Sequence, residues 1–371
     1  MSFPFGALRR RPDIEAPGLV AVDAADRLLL DESAAARAAA DEGRLVVIGD
    51  GYGALALAAV HDGARGVRVH QDALTAERAL AANAADLGYG GFRSLPLAAE
   101  LVRGAEVVLL RLPRSLDALD DIAGLIAAHA APGVVVFAGG RLKHMTRTMN
   151  DVLAGFFSTI DVTRARQKSR VLIAREPRDG RDPIPAAQRV DGLTICAYGG
   201  AFAGARLDIG TRLLLQHLPE NLPGGTAEDP WIDLACGTGV VAAHLGLAHP
   251  EAHVVAVDQS AAAIASTAAT VRANGLESRV VVRRDDSLAT RRDGSASFIA
   301  LNPPFHSGAA VTDQIAPRMF ADAARVLRSG GELWCVWNSA LRYRAVLERS
   351  VGRTRQVARD AKFTVTVSTR R

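Results

Sequence analysis

The chain has 371 residues, 49% of them hydrophobic and 23% charged, with a formal net charge of +4. This composition excludes long disorder and a polycationic nucleic-acid binder, and the length favours two domains with a sizeable core. Cys196, Cys236 and Cys335 are far apart with no CxxC pair, and no apolar run is long enough for a bilayer, so no metal site, disulfide framework or membrane segment is expected.

The opening MSFPFGALRRRPD places its basic cluster after only a few apolar residues, the reverse of a secretory signal, which points to a reducing cytoplasm. The first half then reads RLVVIGD (44–50), the turn GYG, a helical ALALAAV and a second strand GVRVHQD (66–72), followed by EVVLLRLPR (106–114) and GVVVFAGG (133–140). Apolar runs bounded by glycine turns and alternating with helical stretches are the pattern of an α/β fold, a parallel sheet doubly wound with helices. Residues 141–175 gather eight Lys or Arg against Asp151 and Asp161. If TRARQKSR (163–170) is a strand, Arg164, Arg166, Lys168 and Arg170 share one face as a charged row, serving either RNA phosphates or protection of a sheet edge. The segment EPRDGRDPIPAAQR (176–189) reads as a linker, giving domains 1–185 and 186–371.

The second half repeats the plan: WIDLA (231–235), CGTG, VVAAHLGLA (240–248), HVVAVD (253–258), RVVVRR (279–284), SFIALNPPF (297–305) and GELWCVW (331–337). Matched order at matched spacing indicates duplication of one fold. In the alignment Asp233 corresponds to Val47 and Asp258 to His70, while Asn302, Pro303 and Phe305 correspond to Arg111, Leu112 and Arg114; only Pro304 keeps its identity, as Pro113. The first half has thus lost its polar corners and reads as a scaffold or RNA-binding domain.

Ligands of open parallel sheets bind beyond the carboxyl ends of the strands, where the strand order reverses. Asp233, Ala235, Gly237 and Gly239 end the first strand of the second half, where missing side chains admit a ligand close to the backbone. Asp258, with Gln259 beside it, can accept both hydroxyls of a ribose. Asp285, Asp286 and Ser287 follow the next strand, and a carboxylate there, with Asp286 preferred over Asp285, can take an adenine amine. The loop lacks the third glycine of GxGxxG, having Ala242 instead, which disfavours a dinucleotide. A purely structural glycine turn is the other reading.

LNPPF (301–305) closes an apolar strand. Pro303 and Pro304 lack N–H groups and fix φ, so they end the ladder in a rigid loop. An exocyclic amine on a base is a poor nucleophile because its lone pair is delocalised. Acceptors from Asn302 and the Pro303 carbonyl would bond its N–H atoms and favour a pyramidal nitrogen aimed at a sulfonium methyl, while Phe305 offers a flat face for an extruded base. His306 contacts RNA or is satisfied by backbone. Positioning suffices, with no metal and no strong base; a plain strand terminator is the alternative.

These motifs resemble class I methyltransferases of the amino family, with their D/N/S-P-P-F/Y/W motif. More narrowly, the chain resembles the RsmC/RlmG family of ribosomal RNA guanine-N2 methyltransferases. LDIGTRLLLQHLP (207–219), DLACGTG (233–239), NPPFHSG (302–308), the helix VTDQIAPRMFADAARVLRSGGELW (311–334) and the pair Lys362–Phe363 occur in family order. LLRLPRS, RLKHMT and TRARQKSRVL carry the resemblance in the first half. It implies two tandem Rossmann-like methyltransferase domains, the N-terminal one a degenerate duplicate, with S-adenosylmethionine as cofactor. It further implies methyl transfer to the guanine 2-amino group, with ribosomal RNA or a ribosomal subunit as partner, held partly by the first domain; Lys143 joins the four basic residues above as a candidate RNA contact. Rival readings are methylation of adenine or of a glutamine side chain, and a non-catalytic RNA-binding or ribosome assembly factor. Intact Asp233, Asp258 and Asn302 speak against the last. Asp208 and Arg212 either line the cofactor mouth or form a helix cap and a salt bridge. Cys236 reads as a packing residue. The C-terminal stretch 341–371, with nine Lys or Arg against Glu348 and Asp360, is a second candidate phosphate surface.

Overall fold

The apolar runs that glycine turns separate in the sequence become the inner strands of two sheets. The computed structural model describes residues 2–304 and 309–371, and the chain divides into two units, Met1–Ile184 and Pro185–Arg371.

The first unit contains strands β1 (Leu45–Ile48), β2 (Val67–His70), β3 (Phe92–Ser94), β4 (Val107–Arg111), β5 (Val135–Arg141), β6 (Phe157–Val162) and β7 (Ser169–Pro177). Its helices are α1 (Ala24–Ala39), α2 (Ala54–His61), α3 (Leu74–Leu87), α4 (Ala99–Val102), α5 (Leu116–His129) and α6 (Arg147–Phe156). The second unit begins with a hairpin, β8 (Ala186–Val190) and β9 (Leu193–Ala197), and continues through β10 (Trp231–Leu234), β11 (Val254–Asp258), β12 (Val280–Arg284), β13 (Ala296–Leu301), β14 (Leu327–Asn338), β15 (Gly352–Arg359) and β16 (Phe363–Arg370). Its helices are α7 (Ile209–Leu215), α8 (Val240–Ala248), α9 (Ala261–Ala273), α10 (Ala309–Val326) and α11 (Arg344–Ser350).

The two seven-stranded sheets have one topology. The order is β3-β2-β1-β4-β5-β7-β6 in the first and β12-β11-β10-β13-β14-β16-β15 in the second. Five strands of each run parallel and the last two close antiparallel. Every residue of β1 and of β10 is buried, as expected of strands covered by helices on both faces. Gly53 and Gly239 cap the following helices in the left-handed region, at φ 93° and 75°. A Cβ on Gly239 would lie 2.6 Å from the Thr267 Cγ2, and one on Gly53 would lie 2.9 Å from methyls of Leu57 and Leu80, so each position needs glycine for conformation and for close approach. Asp23 and Asp208 both cap helices, α1 and α7, and Leu29 and Leu214, six residues on from each, are both fully buried. The halves therefore agree in register as well as in order.

Three expectations need correction. TRARQKSR is not a strand: β6 ends at Val162, and Arg166 and Ser169 exchange both backbone hydrogen bonds around Gln167 and Lys168, whose φ values are 48° and 59°. This is the two-residue hairpin turn whose twist matches the flanking strands. Arg164, Arg166 and Lys168 therefore lie in the connection and only Arg170 in β7, so the charged row does not form; Arg166 pairs instead with Asp31 and Glu32 at 3.1 and 3.4 Å. The linker is shorter than 176–189, because β7 extends to Pro177, β8 starts at Ala186, and the Arg181 N–H bonds the Gly124 carbonyl. The segment read as one helix through Trp334 is helical only to Val326, after which β14 begins. No described helix is long and apolar enough to cross a membrane.

Candidate functional site

The first strand–helix turn of the second unit converges on one cleft. Asp233 on β10 is buried, and its Oδ2 accepts the N–H of Ala242 at 2.9 Å, doing for α8 what the side-chain-less cap Gly239 cannot. Burial pushes the Asp233 carboxyl up to about 7, with the charge of Asp258 adding to the rise and the Ala242 N–H opposing it. Ala235 adopts φ 59° in the turn, and a Cβ on Gly237 would meet nothing within 4 Å, so the backbone there faces open space. The Cys236 thiol is buried, 3.3 Å from the Thr267 hydroxyl, and burial raises its pKa well above the ordinary value, which suits packing and not nucleophilic attack.

Asp258, at the end of β11, is aimed by its backbone neighbours: Oδ2 accepts the Gly237 N–H at 3.0 Å and Oδ1 the Ser260 N–H at 2.9 Å. A carboxylate oxygen accepts more than one hydrogen bond, so a ribose diol can share these atoms. The backbone carbonyl of Gln259 accepts from Arg284 at 3.1 Å. After β12, Asp285 closes its own turn, accepting from the Asp286 N–H and from the Thr290 N–H and hydroxyl at 2.7 to 2.9 Å. Asp286 forms an ion pair with Arg318 at 2.7 Å. Ser287 sits in the left-handed region at φ 58°, and its buried Oγ has no hydrogen-bond partner among the described residues.

Asn302 leaves the end of β13 with its amide in a defined orientation. Its Nδ2 donates to the Thr211 hydroxyl at 2.9 Å and to Asp208 Oδ2 at 3.2 Å, and that Asp208 oxygen also accepts the Thr211 N–H, capping α7. Only the nitrogen end of an amide can face a carboxylate, so the oxygen must point the other way. Asn302 Oδ1 is accordingly buried and without a partner among the described residues. Sequence reasoning offered for Asp208 a cap or a place at the cleft mouth; it has both, capping α7 and lining the cleft, and it also grips Asn302. Thr211 was missed, and Arg212 bridges the exposed Asp191 at 3.6 Å. Pro303 is buried and Pro304 exposed, whereas Phe305 and His306 lie outside the described residues.

Asp208, Thr211, Asp233, Gly237 and Asn302 line one cleft, with Phe202 and Arg206, which were not anticipated, at its mouth. The donor set is compatible with S-adenosylmethionine: Asp258 could accept a ribose diol, buried Asp233 would suit a cationic end, exposed Arg206 could meet a carboxylate, and the Ser287 hydroxyl past β12 has no partner among the described residues. Among the described residues no group of three or more His, Cys, Asp or Glu could hold a metal ion.

The same corner of the first unit is closed on itself. Arg111, at the position of Asn302, bonds both carboxylate oxygens of the helix cap Asp23 at 2.9 and 3.2 Å and lies 3.2 Å from Asp26. Asp23 and Asp26 stand where Asp208 and Thr211 stand in the second unit. Asp50 fills the helix terminus with its own carboxylate, accepting the N–H groups of Gly53, Leu55 and Ala56. By strand register Gln71, and not His70 as the sequence alignment had it, stands at the position of Asp258; its Nε2 donates to the Asp50 carbonyl at 2.6 Å, and His70 bonds the Leu95 carbonyl at 3.0 Å. Lys143 is exposed beyond β5, and Arg170 is half-buried, its Nε without a partner among the described residues; these two lie in the first unit with Arg164, Arg166 and Lys168, whereas the basic stretch 341–371 lies in the second.

Residues 192–367 match the methyltransferase small domain family, and residues 2–178 match the RLMG N-terminal domain family. The chain is 35% identical to the ribosomal RNA large subunit methyltransferase G of Pseudomonas aeruginosa (strain UCBPP-PA14), covering 98% of this chain and 97% of that one. The protein of the same name from Streptomyces coelicolor is 36% identical, with 98% of each chain covered. Among solved structures, the Thermus thermophilus 16S rRNA N2 G1207 methyltransferase (RsmC), in complex with AdoMet and guanosine, superposes with a TM-score of 0.75 at 23% identity, covering 96% of this chain and 97% of that one.

Proposed function

The chain belongs to the ribosomal RNA large subunit methyltransferase G family, and from that membership we propose that it transfers the methyl group of S-adenosylmethionine to the exocyclic 2-amino group of a guanine in ribosomal RNA. The observation that carries the chemistry is the orphaned Asn302 Oδ1, a buried acceptor held at the carboxyl edge of the sheet with no hydrogen-bond partner among the described residues. An acceptor left in that state is costly unless a donor arrives with the substrate.

When bound, S-adenosylmethionine supplies a methyl already activated by its sulfonium. The residues of the chain have the harder task of making a delocalised amine nucleophilic. Asn302 Oδ1 accepts one N–H and draws the nitrogen out of the plane of the ring, which frees its lone pair for the methyl carbon. Asp208 pulls on the opposite end of the same amide and so makes Oδ1 a stronger acceptor. The amine nitrogen would take the methyl of the bound cofactor, the C–S electron pair would stay on sulfur, and the surplus amine proton would leave to solvent. Asp233 and Asp258 hold the cofactor, and the pair Pro303–Pro304 keeps the Asn302 backbone rigid.

The Thermus neighbour, solved with guanosine, supports a guanine amine as acceptor, and the names of the relatives direct the reading to the large subunit. The first unit supplies part of the RNA grip, and the substrate sets the place of work in the cytoplasm. Mass mapping of nucleosides in digested large-subunit RNA tests the proposal. N2-methylguanosine at one position should disappear without the protein and return with it; identical methylation in both samples would overturn it.

A further inference from the structure

The first unit holds a buried cation that neither its fold nor the site above employs. Arg68 on β2 is 6% exposed. Its Nη1 donates to the backbone carbonyls of Glu100 and Arg103 at 3.1 and 3.0 Å, while Nε and Nη2 have no hydrogen-bond partner among the described residues. Those two nitrogens are neighbours on one edge of the guanidinium, the pair that binds two oxygens of one phosphate or carboxylate side by side. Arg68 lines an open cavity of about 330 Å³ together with Arg93, Arg103, Glu42 and Glu100. Arg68 and Arg93 occupy paired positions on the adjacent strands β2 and β3, so their side chains share a face of the sheet. Among the described residues no carboxylate forms an ion pair with Arg68, Arg93 or Arg103. Burial lowers the Arg68 pKa, and the charges of Arg44 and Arg93 lower it further against a smaller opposing effect of Glu100. A guanidinium does not escape burial by losing its proton, so the arrangement calls for an anion from outside. The cavity opens at the amino ends of the strands, beside Gly43 and Gly66, away from the crevice that corresponds to the catalytic one.

We propose that Arg68, with Arg93 and Arg103 at the rim, forms a phosphate-binding site that takes a backbone phosphate of the RNA substrate. Binding turns Nε and Nη2 of Arg68, covered in the free protein, onto two oxygens of the phosphate, and the exposed guanidiniums neutralise the remaining charge. The choice of RNA as the source rests on the ribosomal RNA reading above; the phosphate chemistry does not.

The test uses the full chain, its Arg68→Met variant, which keeps the packing of the stem, and the surface double variant Arg93→Ala/Arg103→Ala. Thermal unfolding is followed in inorganic phosphate and in chloride at matched ionic strength, and binding of a large-subunit RNA fragment is titrated across a salt series. Phosphate should raise the Tm of the unmodified chain and not that of Arg68→Met. RNA affinity should fall about tenfold in either variant, with a salt slope shallower by about 0.7 to 0.9 for each phosphate no longer bound. A phosphate effect on Tm with unchanged RNA binding in both variants would overturn RNA as the source, leaving a site for free phosphate. No phosphate effect and no change in RNA binding would overturn the site altogether, and if Arg68→Met does not fold, the double variant decides between the same outcomes. S-adenosylmethionine affinity should be equal in all three proteins. Failure of the methyltransferase reading would show separately, as absent methylation by the unmodified chain with its phosphate effect intact.

Discussion

Arg111 and Asn302 occupy the same place in two copies of one fold, each gripped by the cap and the third residue of an equivalent helix. In the first unit the grip is ionic and complete, since Arg111 satisfies Asp23 and Asp26 and is satisfied by them. In the second the grip takes only the nitrogen of an amide and leaves its oxygen without a partner among the described residues. The contrast teaches that duplication kept the frame while the chemistry parted, and that a reactive corner can be told from a structural one by what it leaves unsatisfied. At the helix terminus the two units agree, since the buried carboxylates of Asp50 and Asp233 accept the equivalent N–H groups of Ala56 and Ala242.

If the bare oxygen is what distinguishes the units, Asn302→Ala should reduce methyl transfer by about 10²- to 10³-fold, the scale for deleting one preorganised polar group at a reacting centre. S-adenosylmethionine affinity should stay within about twofold. Turnover assays on RNA with a labelled methyl group measure both, and an unchanged rate would break the comparison. Asp258→Ala should act the other way, weakening cofactor binding by about 2 to 4 kcal/mol, the range for truncating one partner of a charged hydrogen bond. Calorimetry reads this directly. Loss of turnover without loss of affinity would show that Asp258 has been given the wrong role.

The closed corner should behave as structure. Arg111→Ala strands two carboxylates, so stability to urea should drop by about 1 to 3 kcal/mol while cofactor binding by the second unit is untouched. The smallest effect expected is one of pH. The folded-state value of Asp233, about 7, lies above that of an unfolded aspartate, so this group costs stability: the penalty is absent below about pH 4, builds as pH rises from about 4 to about 7 and is constant above that. A cationic ligand favours the ionised form, so cofactor affinity should rise by up to about tenfold between pH 6 and 8. Asp233→Asn should flatten that rise, and a persisting slope would assign it to another group.

Much of this was legible because it is local. Glycine turns at Gly53 and Gly239, apolar runs between them and a carboxylate ending β11 announce a doubly wound sheet and its crevice without any tertiary information. The partners of Asn302 were not legible, because Asp208 and Thr211 lie more than ninety residues away and reveal themselves only by contact. A trace existed in the cap spacing of Asp23 and Asp26, which repeats that of Asp208 and Thr211. The hairpin at Gln167 and Lys168 was missed for a different reason: its left-handed turn contains neither the glycine nor the asparagine that ordinarily marks one. The cluster around Arg68 was hidden because its arginines come from β2, β3 and the approach to β4, each unremarkable alone.

The claim that one of two matched crevices is reactive and the other closed is tested most directly by the stoichiometry of cofactor binding. Calorimetric titration of the full chain with S-adenosylmethionine should give one site per chain, weakened by about 2 to 4 kcal/mol in Asp258→Ala and left unchanged by Gln71→Ala at the equivalent position. Two sites per chain, or a single site unaffected by Asp258→Ala and lost with Gln71→Ala, would contradict the account.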